Sequence, residues 1–272
     1  MKALIIGTGF LGEQIYKEIK PFCNEVFLTH NKNKKYLISK KFDLFNDDIA
    51  KIFDLDQIDV IFFSAMVEFE ENRDLLKRSM NSFLDKIKNK RLVYISSDGL
   101  FNGEKGQYKE TDEPDSITLY GKNLKLCESL IQKKTKDFCI IRPNYLYGFV
   151  KGKLDNRFAR LKTELEKGLK VERFTDMYKS PLSYKQAAEA AVKIGLSDFK
   201  GIIHISGERK SVYELSKEGM EALGVSTKNL IGVAMPTERP VNFLPDTSLD
   251  FSLMIKLINI NPLSVKESLK ND

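Results

Sequence analysis

The chain predicts a doubly wound α/β domain followed by a smaller second unit. Three observations carry that prediction. Short apolar runs alternate with amphipathic helical stretches through the first half, a run such as Val60-Ile61-Phe62-Phe63 is apolar on both faces, and the alternation stops after Arg142-Pro143. A strand that is apolar on both faces belongs inside a parallel sheet covered by helices, and alternating strands and helices are how such a sheet is wound.

Taken in order, strands are predicted at 3–6, 25–29, 60–64, 92–96 and 138–141, and helices at 13–20, 47–53, 73–88 and 120–133. A Gly- and Lys-rich stretch at 148–153 then leads to a helix near 157–167, followed by shorter elements. An alanine-rich helix at about 184–196 is expected to pack back on the first domain. These changes of rhythm place a dinucleotide-binding domain at 1–147 and a substrate-binding region at 148–272.

Composition narrows the class. A hydrophobic content of 42% with 30% charged residues fits neither a disordered chain nor a membrane protein. Residues 1–11 read as a buried strand and turn, because no small-residue cleavage site follows them. The net charge of +6 suits a phosphorylated ligand, but the basic residues are dispersed and form no basic-aromatic face for nucleic acid. Cys23, Cys127 and Cys139 are odd in number and share no metal-ligand spacing. They predict reduced thiols, no metal and a cytoplasmic location.

Gly7-Thr8-Gly9-Phe10-Leu11-Gly12 follows a predicted strand and opens a predicted helix, the context that a dinucleotide loop of the Rossmann type requires. Gly7 permits the tight turn, Gly9 lets a diphosphate reach the backbone, and Gly12 lets the helix lie close on the sheet, with phosphate charge drawn to the helix N-terminus. The next strand ends in His30-Asn31-Lys32 with no acid at its tip. A ribose 2′-hydroxyl is usually met there by Asp or Glu, whereas Asn31, Lys32, Lys34 and Lys35 favour a 2′-phosphate. NADP is therefore preferred, with NAD still open, and His30 is read as a loop histidine beside the cofactor. Asp43 either meets the adenine amino group or caps a helix, with Asp47 and Asp48 nearby.

The densest chemistry lies between Tyr94 and Glu128. An apolar strand ends in Ser96-Ser97-Asp98, and a helix opens at Leu119-Tyr120-Gly121-Lys122. A serine and a tyrosine beside a nicotinamide can hydrogen-bond a substrate carbonyl and deliver its proton while hydride arrives from the cofactor, which is carbonyl reduction.

These residues together resemble the extended short-chain dehydrogenase/reductase superfamily, and within it the dTDP-4-dehydrorhamnose reductase family. Ser96-Ser97-Asp98-Gly99-Leu100-Phe101-Asn102-Gly103 is similar to the family's Ser-Thr-Asp-Tyr-Val-Phe-Asp-Gly, and Tyr120 with Glu128 matches its tyrosine helix. Arg142-Pro143-Asn144, Tyr178-Lys179-Ser180-Pro181, the strand 201–205 with Ser206-Gly207, and Arg239-Pro240-Val241-Asn242 follow in the family's order. The resemblance implies that Ser97 binds the keto oxygen and Tyr120 donates the proton. It further implies that Ser64, Ala65 and Met66 line the cofactor, that Asn81 supports the nicotinamide, and that Asp98, Asn144 and Arg239 face a sugar-nucleotide substrate. The implied function is reduction or epimerisation of a nucleotide-linked keto sugar for surface polysaccharide, and a homodimer stays open as its assembly. A non-catalytic binding role, like that of the regulatory subunit of methionine adenosyltransferase, is the alternative within the same fold.

Three departures stand out. The family's glycine loop usually carries one more residue between its first two glycines. The lysine that the resemblance places four residues after the tyrosine is Leu124 here. On a helix that position lies ~40° from Tyr120, whereas Lys125 lies ~140° and Lys122 ~200° away, so neither replaces it without a shift. Gly99 stands where the family has a tyrosine, and it is expected to open space for a different sugar.

Overall fold

The structure, a computed structural model, describes residues 1–34, 36–238, 240 and 243–270. Lys35, Arg239, Val241 and Asn242 therefore lie outside the described residues. The chain separates into two compact units: Met1–Leu100 with Pro114–Arg142 and Ala188–Ile203, and Phe101–Glu113 with Pro143–Ala187 and His204–Asp272.

The first unit is a Rossmann-type α/β domain. Strands β1 (Lys2–Ile6), β2 (Glu25–His30), β3 (Lys40–Lys41), β4 (Val60–Phe63), β5 (Arg91–Ile95) and β6 (Phe138–Pro143) join the strand Gly201–Ile205 in one sheet. The spatial order is Gly201–Ile205, β6, β5, β4, β1, β2, β3, with parallel pairing from β6 through to β3. Helices α1 (Phe10–Ile19), α2 (Ile49–Ile52), α3 (Arg73–Ile87) and α4 (Leu119–Lys134) form the crossovers. Strand order reverses between β1 and β4, which is where such sheets open a crevice at the carboxyl ends of their strands.

The sequence explains these elements locally. All four residues of β4 are buried, as expected for a strand covered on both faces. One face of α3 delivers Leu76, Met80, Phe83, Leu84 and Ile87 to the core, and Phe83 meets Phe63 edge-on at 5.2 Å. Asn72 and Thr118 cap α3 and α4 by accepting from Leu75 N and Gly121 N. Residues Ala188–Gly195, the latter part of α6 (Tyr184–Gly195), belong to this unit. A Cβ on Gly195 would lie 2.5 Å from Phe62 Cζ, and Arg91 donates to the carbonyls of Ile194, Gly195 and Phe199 at the helix end.

In the second unit, α5 (Asn156–Glu166) and α7 (Val212–Ala222) pack Phe158, Leu161, Leu165, Leu215 and Met220 around the parallel pair Val171–Phe174 and Leu230–Val233. Ser211 and Glu214 form a capping box on α7. His204 is fully buried, with Nδ1 3.1 Å from Tyr108 O, and serves as a core histidine. Among the described residues no helix is long and apolar enough to cross a membrane.

Candidate active site

The glycine loop is shaped by three separate close approaches. Gly7 has φ +90, and a Cβ on it would stand 2.7 Å from Ala65 N. A Cβ on Gly12 would lie 2.0 Å from Gly7 O and 2.5 Å from Ser64 Oγ, so only glycine lets α1 settle onto the loop. Gly9 is different: a Cβ there meets nothing within 4 Å, and its side faces open space. Thr29 and Ser64 hold the loop from both sides, with Gly7 N donating to Thr29 Oγ1 at 3.0 Å and Ser64 Oγ donating to Gly7 O at 2.7 Å. Thr8 adds a bond to Thr29 O.

Beside this loop lies a cleft of about 410 Å³. Its walls include Gly7, Gly9, Ser64, Ala65 and Met66 at the ends of β1 and β4, and His30, Asn31, Lys32 and Asp43 after β2 and β3. Met66 is 77% exposed, so it faces the cleft rather than the core. His30 Nδ1 is 2.8 Å from Ser39 Oγ, which fixes its ring. Asp43 accepts from Phe45 N and Asn46 Nδ2 while still lining the cleft, so it closes a turn, and the helix cap expected of it is supplied by Asp48, which accepts from Ala50 N at the start of α2. Phe10 and Leu11 start α1 beyond the cleft, and Asn81 turns its amide back onto Lys77 O of its own helix.

The hydroxyl pair stands after β5 and at the head of α4. The Ser97 hydroxyl acts on the Tyr120 phenol, favouring its ionised form, while Ser97 Oγ donates to Asp98 Oδ1 at 3.0 Å and accepts from Gly99 N at 3.2 Å. Burial pushes the Tyr120 phenol well above its ordinary value, and the Glu68 carboxyl raises it further, with the Ser97 hydroxyl opposing both and Asp98 adding to them. Tyr120 is thus a protonated donor across the neutral range. Two neighbouring hydroxyls can both turn to one carbonyl oxygen.

The expectation for Gly99 is corrected by the packing. A Cβ there would lie 2.7 Å from Tyr120 Cε1, so the space left by the missing tyrosine is filled by the Tyr120 ring and is not a widened substrate pocket. The ring also stacks on Phe69, with centroids 4.6 Å apart and planes at 18°. Leu124 is 1% exposed near the same glycine, and Lys125 sends its ammonium to Pro114 O at 2.8 Å.

Residues 83–270 match the family described as the RmlD substrate binding domain. The chain belongs to the RmlD family. It is 29% identical over 239 residues to the spore coat polysaccharide biosynthesis protein SpsK of Bacillus subtilis (strain 168), covering 83% of this chain and 81% of that protein. It is 26% identical to a crystal structure described as a hypothetical dTDP-4-dehydrorhamnose reductase from Sulfolobus tokodaii, with a TM-score of 0.81 over 97% of this chain and 98% of that one. Methionine adenosyltransferase 2 subunit beta of Xenopus tropicalis is 26% identical over 178 residues, which are 61% of this chain and 52% of that protein.

Within this RmlD-family chain, Asn144 directs its amide to the backbone: Nδ2 donates to Thr247 O at 2.6 Å, and Oδ1 accepts from Tyr145 N and Ser180 N. Arg239 lies outside the described residues. Sequence reasoning named Ser64, Ala65 and Met66 but missed the rest of the loop after β4. Glu68 is 2% exposed and accepts from Tyr94 Oη. Asn123 is fully buried and donates to Glu68 O and Glu70 O. In sequence Glu68-Phe69-Glu70-Glu71 has the character of a solvated charge run, and nothing local signals that one of its acids turns inward.

Proposed function

We propose that this chain reduces the keto group of a nucleotide-linked sugar with NADPH, in the biosynthesis of a surface polysaccharide. The observation that carries the reading is the pairing of Ser97, at the end of β5, with the buried phenol of Tyr120, at the head of α4, in the same unit as a glycine-walled cleft. The names of the SpsK relative and of the Sulfolobus tokodaii structure point the same way. The cleft would suit a dinucleotide: Gly9 leaves the backbone open to a diphosphate, and Asn31 and Lys32 line the cleft and would serve a ribose phosphate as donors. When bound, the cofactor supplies hydride to the carbonyl carbon.

The chain's own residues do the rest. Ser97 holds the carbonyl oxygen, and Tyr120 breaks its O–H bond to give that oxygen a proton, becoming a phenolate that regains its proton from solvent. Because burial and Glu68 keep the phenol protonated, Tyr120 is suited to reduction and poorly suited to the base role that oxidation or epimerisation demands. The test is NADPH consumption by the purified chain with dTDP-, UDP- and GDP-linked 4-keto sugars, with Tyr120→Phe as the control. Absence of turnover with every sugar, while NADPH still binds, would falsify the reading. Fluorescence titration of both reduced cofactors checks the preference, and tighter NADH binding would count against it.

Leu124 favours a second reading, a dinucleotide-binding regulatory protein like the methionine adenosyltransferase subunit its sequence resembles. With an aliphatic side chain at this buried position, Tyr120 has no cation from residue 124. Tight NADPH binding without turnover is the result that selects it.

A further inference from the structure

The loop after β4 brings a buried acid and an exposed ring to Tyr120, and neither belongs to the glycine cleft or to the Ser97 contact. Asn123 fastens this loop to the tyrosine helix: its amide donates to Glu68 O at 2.9 Å and to Glu70 O at 2.8 Å, and Arg73 Nε donates to its Oδ1 at 3.1 Å. The two bonds bracket Phe69. Since Asn123 follows Tyr120 by about one turn of α4, the bracket sets the Phe69 ring on the Tyr120 ring. Phe69 is 63% exposed, so its stacking on Tyr120 is not explained by burial in the core.

Glu68 points the other way, into the unit. Its carboxyl accepts from Tyr94 Oη, and Tyr94 in turn meets the Cys127 thiol. The groups that face it are Tyr94 from β5 and Tyr120 and Cys127 from α4, with Glu128 next to Cys127, Asp98 next to Tyr120, and Glu70 and Glu71 following on its own loop. Arg73, at the head of α3, is directed to Asn123.

We propose that the loop carrying Glu68 and Phe69 is the positioning device for Tyr120, with Phe69 fixing the ring and the buried Glu68 carboxyl acting on the phenol in the opposite sense to a lysine at 124. The proposal rests on Tyr120 being the proton donor of the reductase reading. A buried carboxylate raises the proton affinity of a nearby phenol, and the neutral acid does not. Burial lifts the Glu68 carboxyl to about 7, against the opposing bonds from Tyr94 and the backbone, so the change falls near neutrality. Proton donation by Tyr120 should quicken as pH drops through that range.

Tyrosine-selective isotope labelling and NMR of the full chain test this without relying on turnover. The Tyr120 resonance is identified by its disappearance in Tyr120→Phe. It should shift with pH near neutrality in the parent and stop doing so in Glu68→Gln, which retains an acceptor for Tyr94. Phe69→Ala, at an exposed position that leaves the core intact, should move the resonance, and Phe69→Tyr should restore it. In parallel, kcat should fall about tenfold in Phe69→Ala at unchanged NADPH affinity, and its pH dependence should flatten in Glu68→Gln. A Tyr120 signal that titrates alike in the parent and Glu68→Gln, or stays put in Phe69→Ala, overturns the proposal. Intact NMR responses with no turnover in any variant would overturn the reductase reading alone.

Discussion

Arg142 and Glu128 form a two-pronged ion pair inside the first unit, with Nε to Oε1 at 3.0 Å, a terminal guanidinium nitrogen to Oε2 at 2.7 Å, and both side chains almost wholly buried. Ser96 Oγ donates to the same Oε1 at 2.6 Å, so the pair underpins the strand end that presents Ser97. Removing one partner strands a buried charge, whereas replacing both removes the problem. Arg142→Met should cost roughly 3–5 kcal/mol in denaturant unfolding, and adding Glu128→Leu should recover much of it. Equal losses in the single and double variants would show that the charges are not acting as a pair.

Gly9 and Gly12 separate binding from folding. Gly9→Ala adds a Cβ into open space, so stability should change by no more than ~1 kcal/mol while dinucleotide affinity falls sharply. Gly12→Ala forces a Cβ to 2.0 Å from Gly7 O and should destabilise the fold by roughly 3 kcal/mol, because backbone on both sides must move. Thermal unfolding with and without NADPH measures both effects. A Gly9→Ala variant that still gains stability from NADPH would break the assignment of that face to the diphosphate.

The contrast between these glycines shows what the sequence could reveal. Both belong to one continuous strand, loop and helix, where Gly12 meets Gly7 O, so spacing announced the loop, just as the apolar run 60–63 announced a fully buried β4; the contact of Gly12 with Ser64 carries no such local mark. Gly99 was misjudged because its neighbour in space, Tyr120, is twenty-one residues away, and an absent side chain says nothing about what fills the room. Glu68, Asn123 and Arg142 were hidden for a related reason. Their burial depends on partners at Tyr94, on the 68–70 backbone and at Glu128, and a charged or amide residue carries no local mark of such pairing.

Restoring a side chain at Gly99 should displace the tyrosine. Gly99→Ala puts a Cβ 2.7 Å from Tyr120 Cε1, and the ring must rotate or shift away from Ser97. Turnover should drop by ~10²-fold while NADPH affinity is unchanged, since the cleft is lined by other residues. Unaltered kcat would show that the ring position has no part in the chemistry.

Glu68 gives the fold its own pH dependence. In the folded chain its carboxyl titrates at about 7, against 4.5 for the ordinary side chain, mainly because of burial. The folded state therefore holds the proton more tightly, and stability is fully present below the unfolded value and is lost as pH rises from about 4.5 through about 7. The loss corresponds to roughly 3 kcal/mol. Unfolding free energy measured across that window should decline in the parent and decline much less in Glu68→Gln. Parallel curves would mean that Glu68 titrates alike in the folded and the unfolded chain.

The sharpest prediction concerns Leu124. It lies ~40° around α4 from Tyr120, and its Cδ1 would be 3.5 Å from a Cβ on Gly99, so a lysine stem there has an apolar path toward the phenol. The phenol is held high by burial and by Glu68, and a nearby ammonium opposes both influences. Leu124→Lys should raise turnover by ~10²-fold, and it should aid oxidation more than reduction because oxidation needs the phenolate as base. Taking a lysine into a site where the leucine is 1% exposed should also lower the melting temperature, an effect that NADPH binding partly offsets. Leu124→Met, which keeps the apolar volume and adds no charge, should leave the rate where it was. If Leu124→Lys folds, binds NADPH and remains inert in both directions, then Tyr120 is not waiting for a cation, and the dinucleotide-binding role replaces the catalytic one.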